Sequence, residues 1–316
     1  MKKNILPLQM IYVSKDMIDQ RIDNFLIKKI KKFPKSVIYK MIRKGKIKIN
    51  KKRIPPKYKL KIGDSIKIPS IRIEKKNNNF ISNFDAKKNF TLDGKILYED
   101  KFLLIINKPS GIAVHGGTGL RFGIIENLRA LYPLYSYLEL IHRIDRNTSG
   151  ILMLAKKKST LRDLHKQIRE KKIKKQYLAL VHGHWPKSKL IISVPLIKKK
   201  NKNVKNPVFA NEKGKLSETK FQVKKYYQNC SLMLITPKTG RTHQIRVHSA
   251  YAGHPIIFDK CYGKSELDKN FTFLNKKKNL LLHAKTINFF HPNINKKIYI
   301  TAPIEKNFQL SLSKLN

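Results

Sequence analysis

Nine residues, His142 to Gly150, read His-Arg-Ile-Asp-Arg-Asn-Thr-Ser-Gly and set one carboxylate, Asp145, between Arg143 and Arg146. An Asp within reach of arginines is ionised at neutral pH, and an ionised, oriented carboxylate can act as a nucleophile. The same residues also suit a structural ion pair, or an Asx-turn from Asp145 to Asn147 and Thr148. On this stretch alone both readings stand. A second stretch, Pro237-Lys238-Thr239-Gly240-Arg241, reads as a turn, with Thr242 as the cap of a helix that Gly253 and Pro255 stop. That helix carries His243, Arg246 and Ala250 along one face. Arg246, near its start, suits a clamp on a carboxylate or phosphate. His243, His248 and His254 do not have the spacing of a zinc-binding set, so no metal is expected.

Strands must hold these groups. Tyr137 to Ile141 is apolar at alternate positions and Ile151 to Leu154 is a continuous apolar run, which predicts two strands with Asp145 on the tight connection between them. Upstream, Lys95 to Tyr98 and Phe102 to Asn107 form a hairpin turned at Glu99-Asp100. Lys108-Pro109-Ser110-Gly111 and His115-Gly116-Gly117-Thr118-Gly119 follow it. This Gly-rich loop matches neither the dinucleotide fingerprint nor the P-loop; it lets backbone pass close to a neighbour strand or to RNA. A helix is expected over Phe122 to Leu131 before Pro133, and another around Leu161, Leu164 and Ile168, with Ser159 as its cap and a basic tail from Arg169 to Lys175. On the next strand, Gln176 to Val181, Tyr177 shares a face with Ala179 and Val181. It is either a shelf for a flat ligand or an ordinary core tyrosine. Lys198 to Lys215 reads as a basic insertion that stays mobile unless RNA orders it, and Leu280 to Phe290 as a strand carrying His283-Ala284.

The formal charge of +49 on 316 residues points to a polyanionic partner, nucleic acid first and an anionic membrane surface second. Abundant Lys, Asn and Ile throughout make part of that charge compositional. Of the 69 basic residues only 12 are Arg, so each Arg suggests a site that needs a planar fork. Cys230 and Cys261 lack metal-site spacing and fit a reduced, cytoplasmic setting. No stretch approaches 18 apolar residues and the N-terminus lacks a cleavage site, so neither a membrane span nor a leader is expected.

The chain opens with a small basic module. Ile18, Ile22, Phe25, Leu26 and Ile30 recur at helical spacing before Pro34, and a second helix follows from Ser36, its expected cap, to Lys44 and Gly45. Short strands are expected at Ile47 to Ile49 and Ser65 to Ile68. The series Gln20-Arg21-Ile22-Asp23, Arg43-Lys44-Gly45, Ile49-Asn50, Gly63-Asp64 resembles the S4 RNA-binding module. The expected division is an S4-like domain over 16–75, a polar linker over 76–94 and a catalytic domain over 95–316.

Taken together, the HRIDRNTSG stretch, Asn-Lys-Pro-Ser-Gly with His-Gly-Gly, the Tyr177 strand and Gly-Arg-Thr-His-Gln-Ile-Arg-Val-His resemble the RluA family of RNA pseudouridine synthases. The resemblance implies an α+β pseudouridine synthase fold: a mixed, mainly antiparallel central sheet flanked by helices and loops, plus the small N-terminal α/β S4 domain. It implies an isomerase that converts specific uridines of large-subunit (23S) ribosomal RNA to pseudouridine on a flipped-out base. Asp145 falls on the family's catalytic Asp, Arg143 on the Arg that holds the vacated base position, Tyr177 on the Tyr packed on the base, and Arg246 on the Arg paired with the Asp. Ile144 stands where many relatives have Leu, a volume-conserving change. Arg21, Arg43, Lys44, Lys51, Arg53, Arg146 and Arg241 are the expected RNA contacts. The expected partner is 23S rRNA or a large-subunit assembly intermediate, bound by a monomer without membrane or cofactor, since the isomerisation has no net redox change. Whether Asp145 is nucleophile or base stays open. A binding-only protein would have lost Asp145 or Arg246, and an S4-linked methyltransferase needs a cofactor loop whose spacing is absent.

Overall fold

A computed structural model describes residues 4–30, 35–73, 91–116, 122–135, 137–188, 190–198, 207–274 and 278–315. The chain divides into two units, Met1–Phe80 and Ile81–Asn316. In the first, β1 (Asn4–Leu6), β2 (Gln9–Tyr12), α1 (Ile22–Lys29), α2 (Lys35–Arg43), β3 (Lys48–Ile49), β4 (Lys52–Arg53), β5 (Ser65–Ile68) and β6 (Ile71–Ile73) follow in order. Strands β2, β5, β3 and β4 form one sheet, and β1 pairs with β6. Ile22, Phe25 and Leu26 of α1 and Ile38, Met41 and Ile42 of α2 bury their apolar faces with Ile49, Ile66 and Ile68. Ser36 is not the cap of α2, which already begins at Lys35.

Fully buried Asp23 takes hydrogen bonds from Arg21, from the Tyr39 hydroxyl at 2.9 Å and from the Asn24 N–H at 2.8 Å. Thus Arg21 holds the module together. Asn50 and Lys51 are both left-handed (φ 49° and 63°), as a two-residue primed hairpin turn requires. The Asn50 side chain donates to Asp64 and accepts the Ser65 N–H, both at 2.8 Å, which fixes the turn with Lys51 exposed on it. Arg43, Lys44 and Arg53 are exposed too, and Arg53 donates to the Arg43 carbonyl.

The second unit contains β7 (Ile96–Glu99), β8 (Leu103–Lys108), α3 (Ile124–Leu131), β9 (Glu139–Leu140), β10 (Ser149–Ala155), α4 (Lys158–Arg169), β11 (Lys174–His182), β12 (Ile191–Ser193), β13 (Leu196–Lys198), β14 (Val208–Ala210), β15 (Glu218–Tyr227), β16 (Cys230–Pro237), α5 (Gln244–Tyr251), α6 (Ser265–Lys269), β17 (Leu282–His291), β18 (Lys296–Thr301) and α7 (Lys306–Ser313). Its sheet runs β12-β15-β16-β11-β17-β10-β8-β7, with β18 on β17 and β9 on β10. Among these pairings only β10 with β17 is parallel, so the sheet is mixed and mainly antiparallel. Every residue of β10 is buried, as its unbroken apolar run requires of a central strand.

Register places the motifs. Ala284 of β17 is the partner of Gly150 on one side and of Tyr177 on the other, so the start of β10 and the first half of β11 flank one point. Gly150 has φ 102°, and a Cβ there would lie 2.3 Å from the Ala284 carbonyl oxygen. Only glycine permits that approach. Tyr177 is in turn paired with Ile235 of β16, which ends at Pro237, so the turn into α5 begins beside it.

Several sequence expectations are corrected. The strand over 137–141 shrinks to Glu139–Leu140, α3 begins at Ile124, and α4 begins at Lys158 with Ser159 already inside it. Within the expected Lys198 to Lys215 insertion, Lys198 ends β13 and Val208–Ala210 form β14, which pairs with β13, and Leu196 and Val208 pack on Val247 of α5. Residues 199–206, the Gly-rich loop beyond Gly116 and the expected linker as far as residue 90 lie outside the described residues.

Candidate active site

The loop bearing Asp145 is held by the end of β8, because Lys108 is the register partner of Gly150. The buried Lys108 ammonium donates to the carbonyls of Pro109 (2.8 Å), Ile112 (2.9 Å) and Arg146 (2.9 Å). Burial pushes its pKa down to about 7, against the pull of Asp145 and Glu305. Ser110 Oγ donates to the Asn147 carbonyl at 2.7 Å, and Arg146 Nε to the Gly111 carbonyl at 2.7 Å. The Lys-Pro-Ser-Gly segment is therefore the frame of the Asp145 loop, and Arg146 braces that frame. A backbone bond from the Thr148 N–H to the Asp145 carbonyl closes the turn at 3.2 Å. Among the described residues the Asp145 carboxylate makes no bond to Asn147 or Thr148, so the Asx-turn does not form.

That carboxylate faces α5 instead. Arg246 Nη1 lies 3.2 Å from Asp145 Oδ2, while Nε and Nη2 grip Asp259 Oδ2 and Oδ1 at 2.7 Å each. Burial alone would lower the guanidinium's pKa, but the bonds and charge of Asp259, then Asp145, raise it well above its ordinary value. Asp259 is itself fixed by the N–H groups of Cys261 (2.9 Å) and Tyr262 (3.2 Å). Tyr262 lies under the Arg246 guanidinium, 5.0 Å from ring centroid to Cζ. The second neighbour of Asp145 is His243, whose Nε2 is 3.8 Å from Oδ2 and whose Nδ1 meets the Tyr262 hydroxyl at 2.7 Å. Burial lowers the His243 pKa, Asp145 opposes that, and Arg246 reinforces it.

Thr242 does not cap α5. His243 does, in a left-handed conformation (φ 55°), because the Gln244 side chain organises the turn by accepting from the Arg241 N–H (2.9 Å) and the Thr239 hydroxyl (2.7 Å). One cleft is lined by Arg143, Asp145, Lys175, Tyr177, Arg241, His243 and Arg246, among others. Tyr177 is 9% exposed, and burial followed by the charge of Asp145 raises its hydroxyl well above the usual range. Arg143 is an exposed member of the lining, with no ion pair among the described residues. Arg241 turns Nε onto the Leu216 carbonyl at 3.1 Å.

Residues 102–251 match the family model for RNA pseudouridylate synthase, and residues 20–66 match the S4 domain. The "Ribosomal large subunit pseudouridine synthase C" of Buchnera aphidicola subsp. Schizaphis graminum is 56% identical over 315 residues, covering the whole of both chains. The protein of the same name from Escherichia coli K12 is 46% identical, covering 100% of this chain and 99% of that one. The chain belongs to the RNA pseudouridylate synthase family. Among solved structures, human RNA Pseudouridylate Synthase Domain Containing 4 superposes with a TM-score of 0.61 at 26% identity, covering 75% of this chain and 97% of that one.

In this synthase the sequence reading missed Asp259, Tyr262, Lys108 and Lys175. Asp259 carried a faint signal, a lone acid directly after the buried Ile256, Ile257 and Phe258 in a chain with 20 acids against 69 bases.

The loop that carries Asp145 also stores a pH dependence of stability. Burial and the nearby Lys175 push His142 down to about 3, and burial and Lys285 push His283 to about 4. An unfolded His gains its proton near pH 6.5, at about which point the folded synthase refuses it. The unfolded state then binds more protons, so stability falls as pH drops from about 6.5 toward 4. Urea midpoints measured across that window should fall for the wild type and fall less steeply for His142→Gln; identical slopes would mean that His142 titrates freely in the fold.

Proposed function

We propose that this chain isomerises specific uridines of large-subunit (23S) ribosomal RNA, free or in an assembly intermediate, with Asp145 acting on a flipped-out nucleotide. The observation that carries this is the Asp145 carboxylate, 3.2 Å from the Arg246 fork in a cleft that Tyr177 also lines. The relatives named for the ribosomal large subunit support the substrate. Removing a base from its stack costs a few kcal/mol. Tyr177 offsets that by packing on the uracil, Arg143 fills the vacated position, and Arg246 orients Asp145. In this reading residues 16–75 dock RNA backbone through Arg43, Lys44, Lys51 and Arg53, with Arg21 supporting them. Residues 76–94 link, and 95–316 catalyse, with Arg146 and Arg241 beside the incoming strand. The protein acts as a cytoplasmic monomer and needs no cofactor, because bond cleavage and re-formation balance within the nucleotide.

The test follows from that balance. Rejoining uracil through C5 expels the hydrogen there while the product remains an isomer. Large-subunit rRNA labelled with tritium at uracil C5 should therefore release label to water at unchanged RNA mass. A methyltransferase would add mass, and a binding protein would release nothing. Retention of tritium across free rRNA and assembly particles would overturn the proposal.

A further inference from the structure

Lys175 lies on β11 two residues before Tyr177, across an irregularity in the register on β17 at Gln176/Tyr177, and both side chains line the cleft of Asp145. The neighbouring basic residues behave differently. Lys174 is exposed, and Lys172 pairs with Glu170 at 2.9 Å. Among the described residues the Lys175 ammonium has neither hydrogen bond nor ion pair, and its register partner on β17 is Ile287. Burial is what lowers its pKa from the ordinary lysine value. A desolvated cation left without a counter-charge destabilises a fold, so its place in a cleft suits an anion that arrives with the substrate.

The other cations of the cleft are committed elsewhere or solvated. Arg246 is shared between Asp145 and Asp259, Arg241 bonds a carbonyl, and Arg143 is exposed. The isomerisation makes an anion at a known stage. When the C1′–N1 bond breaks, its electron pair stays with N1 and spreads over O2 and O4, while Asp145 takes either the sugar carbon or a ribose proton. The base then turns and C5 bonds to C1′ as Asp145 either leaves the sugar carbon or returns the proton to the ribose; the C5 proton leaves, N1 gains a proton, and Asp145 is a free carboxylate again.

We propose that Lys175 is a further catalytic residue, the counter-charge for the departing uracil anion. The inference rests on the catalytic reading of Asp145. A pre-placed charge in a partly dry site stabilises a developing anion far more than an exposed one does. A lysine that only held the RNA backbone would contribute to affinity and leave the rate of the chemical step unchanged.

Lys175→Met keeps the length of the side chain and removes the charge. Unmodified large-subunit rRNA, or the particle that serves in the tritium assay, is the substrate in single-turnover experiments with saturating enzyme. The rate should fall about 100-fold with half-saturation moved less than about threefold, and the melting temperature should stay level or rise, because an unpaired, partly buried charge has gone. A second substrate carries 5-fluorouridine in place of uridine, a more acidic leaving base that needs less counter-charge. On it the deficit, read as loss of target nucleotide by mass spectrometry, should shrink to below about tenfold. A variant within about threefold of wild type, a loss confined to RNA affinity, or equal deficits on the two substrates would each overturn the role. Asp145→Asn run in parallel separates the two readings: an active Asp145→Asn removes the catalytic reading itself, whereas a dead one beside a fully active Lys175→Met removes only Lys175.

Discussion

Asp145→Asn should lower the single-turnover rate by about 10⁴-fold or more, while RNA affinity stays within about tenfold. The amide is nearly isosteric and can still accept a hydrogen bond from Arg246 Nη1, so the loop keeps its geometry. What it loses is the negative charge that either a nucleophile or a base must have, and removing such a group carries losses of this size. Stability should change little. The Asp145 carboxylate, 24% exposed, accepts one hydrogen bond at 3.2 Å from Arg246 and lies 3.8 Å from His243 Nε2, and Arg246 keeps both bonds to Asp259. Partly exposed pairs of this kind contribute about 1 kcal/mol or less. RNA affinity comes mostly from distributed phosphate contacts, which the substitution does not touch. Rapid-quench kinetics and filter binding on the same preparation measure both. Turnover by a rigorously purified variant would take Asp145 out of the chemistry.

The parts of this arrangement that were legible in the sequence are local ones. Alternation and apolar runs announced β3, β5, β7 to β11 and β17, but not β12 to β16 or β18, and the crowding of scarce arginines around Asp145 and at the start of α5 marked the two stretches that meet in the cleft. At α5 the cap residue was misplaced because the Gln244 side chain, from within the helix, supplies the acceptor in place of Thr242; α4 begins at Lys158 with no side-chain cap bond at all. Asp259 and Tyr262 were not legible, since their meaning arises only when the segment after α5 folds back under Arg246. Lys175 was hidden in a different way. It closes a basic tail, Arg169 to Lys175, and charge alone does not tell a solvated lysine from a partly buried one. Its place two residues before Tyr177 was the available clue. The expected RNA contacts divide for a similar reason: Arg21, Arg146 and Arg241 each have internal acceptors, whereas the Arg43, Lys44 and Lys51 side chains are exposed.

Arg246→Lys should cost about 100-fold or more in rate despite keeping the charge, and the reason lies in Asp259. The guanidinium presents three edges at fixed angles. Two hold the fully buried Asp259 at 2.7 Å, and the third meets Asp145. An ammonium is a compact point charge that cannot span both carboxylates in this geometry. Leaving Asp259 unpaired would cost about 3–5 kcal/mol, as breaking buried pairs does. Lysine at this position should therefore settle on Asp259 and release Asp145. The folded state survives, with the carboxylate no longer aimed, and a misplacement of about 1 Å is enough for a loss of this order. Asp259→Asn acts on the same fork from the other side: it leaves Arg246 with one full counter-charge, frees it to swing toward Asp145, and should impair the rate without touching any substrate atom. Because the two residues act as one unit, the double variant should be much less impaired than the product of the single effects. Single-turnover rates for the three variants, with melting temperatures as a control for folding, close that cycle. Wild-type rates in Arg246→Lys, or strictly multiplicative losses in the double variant, would mean that the fork does not position Asp145.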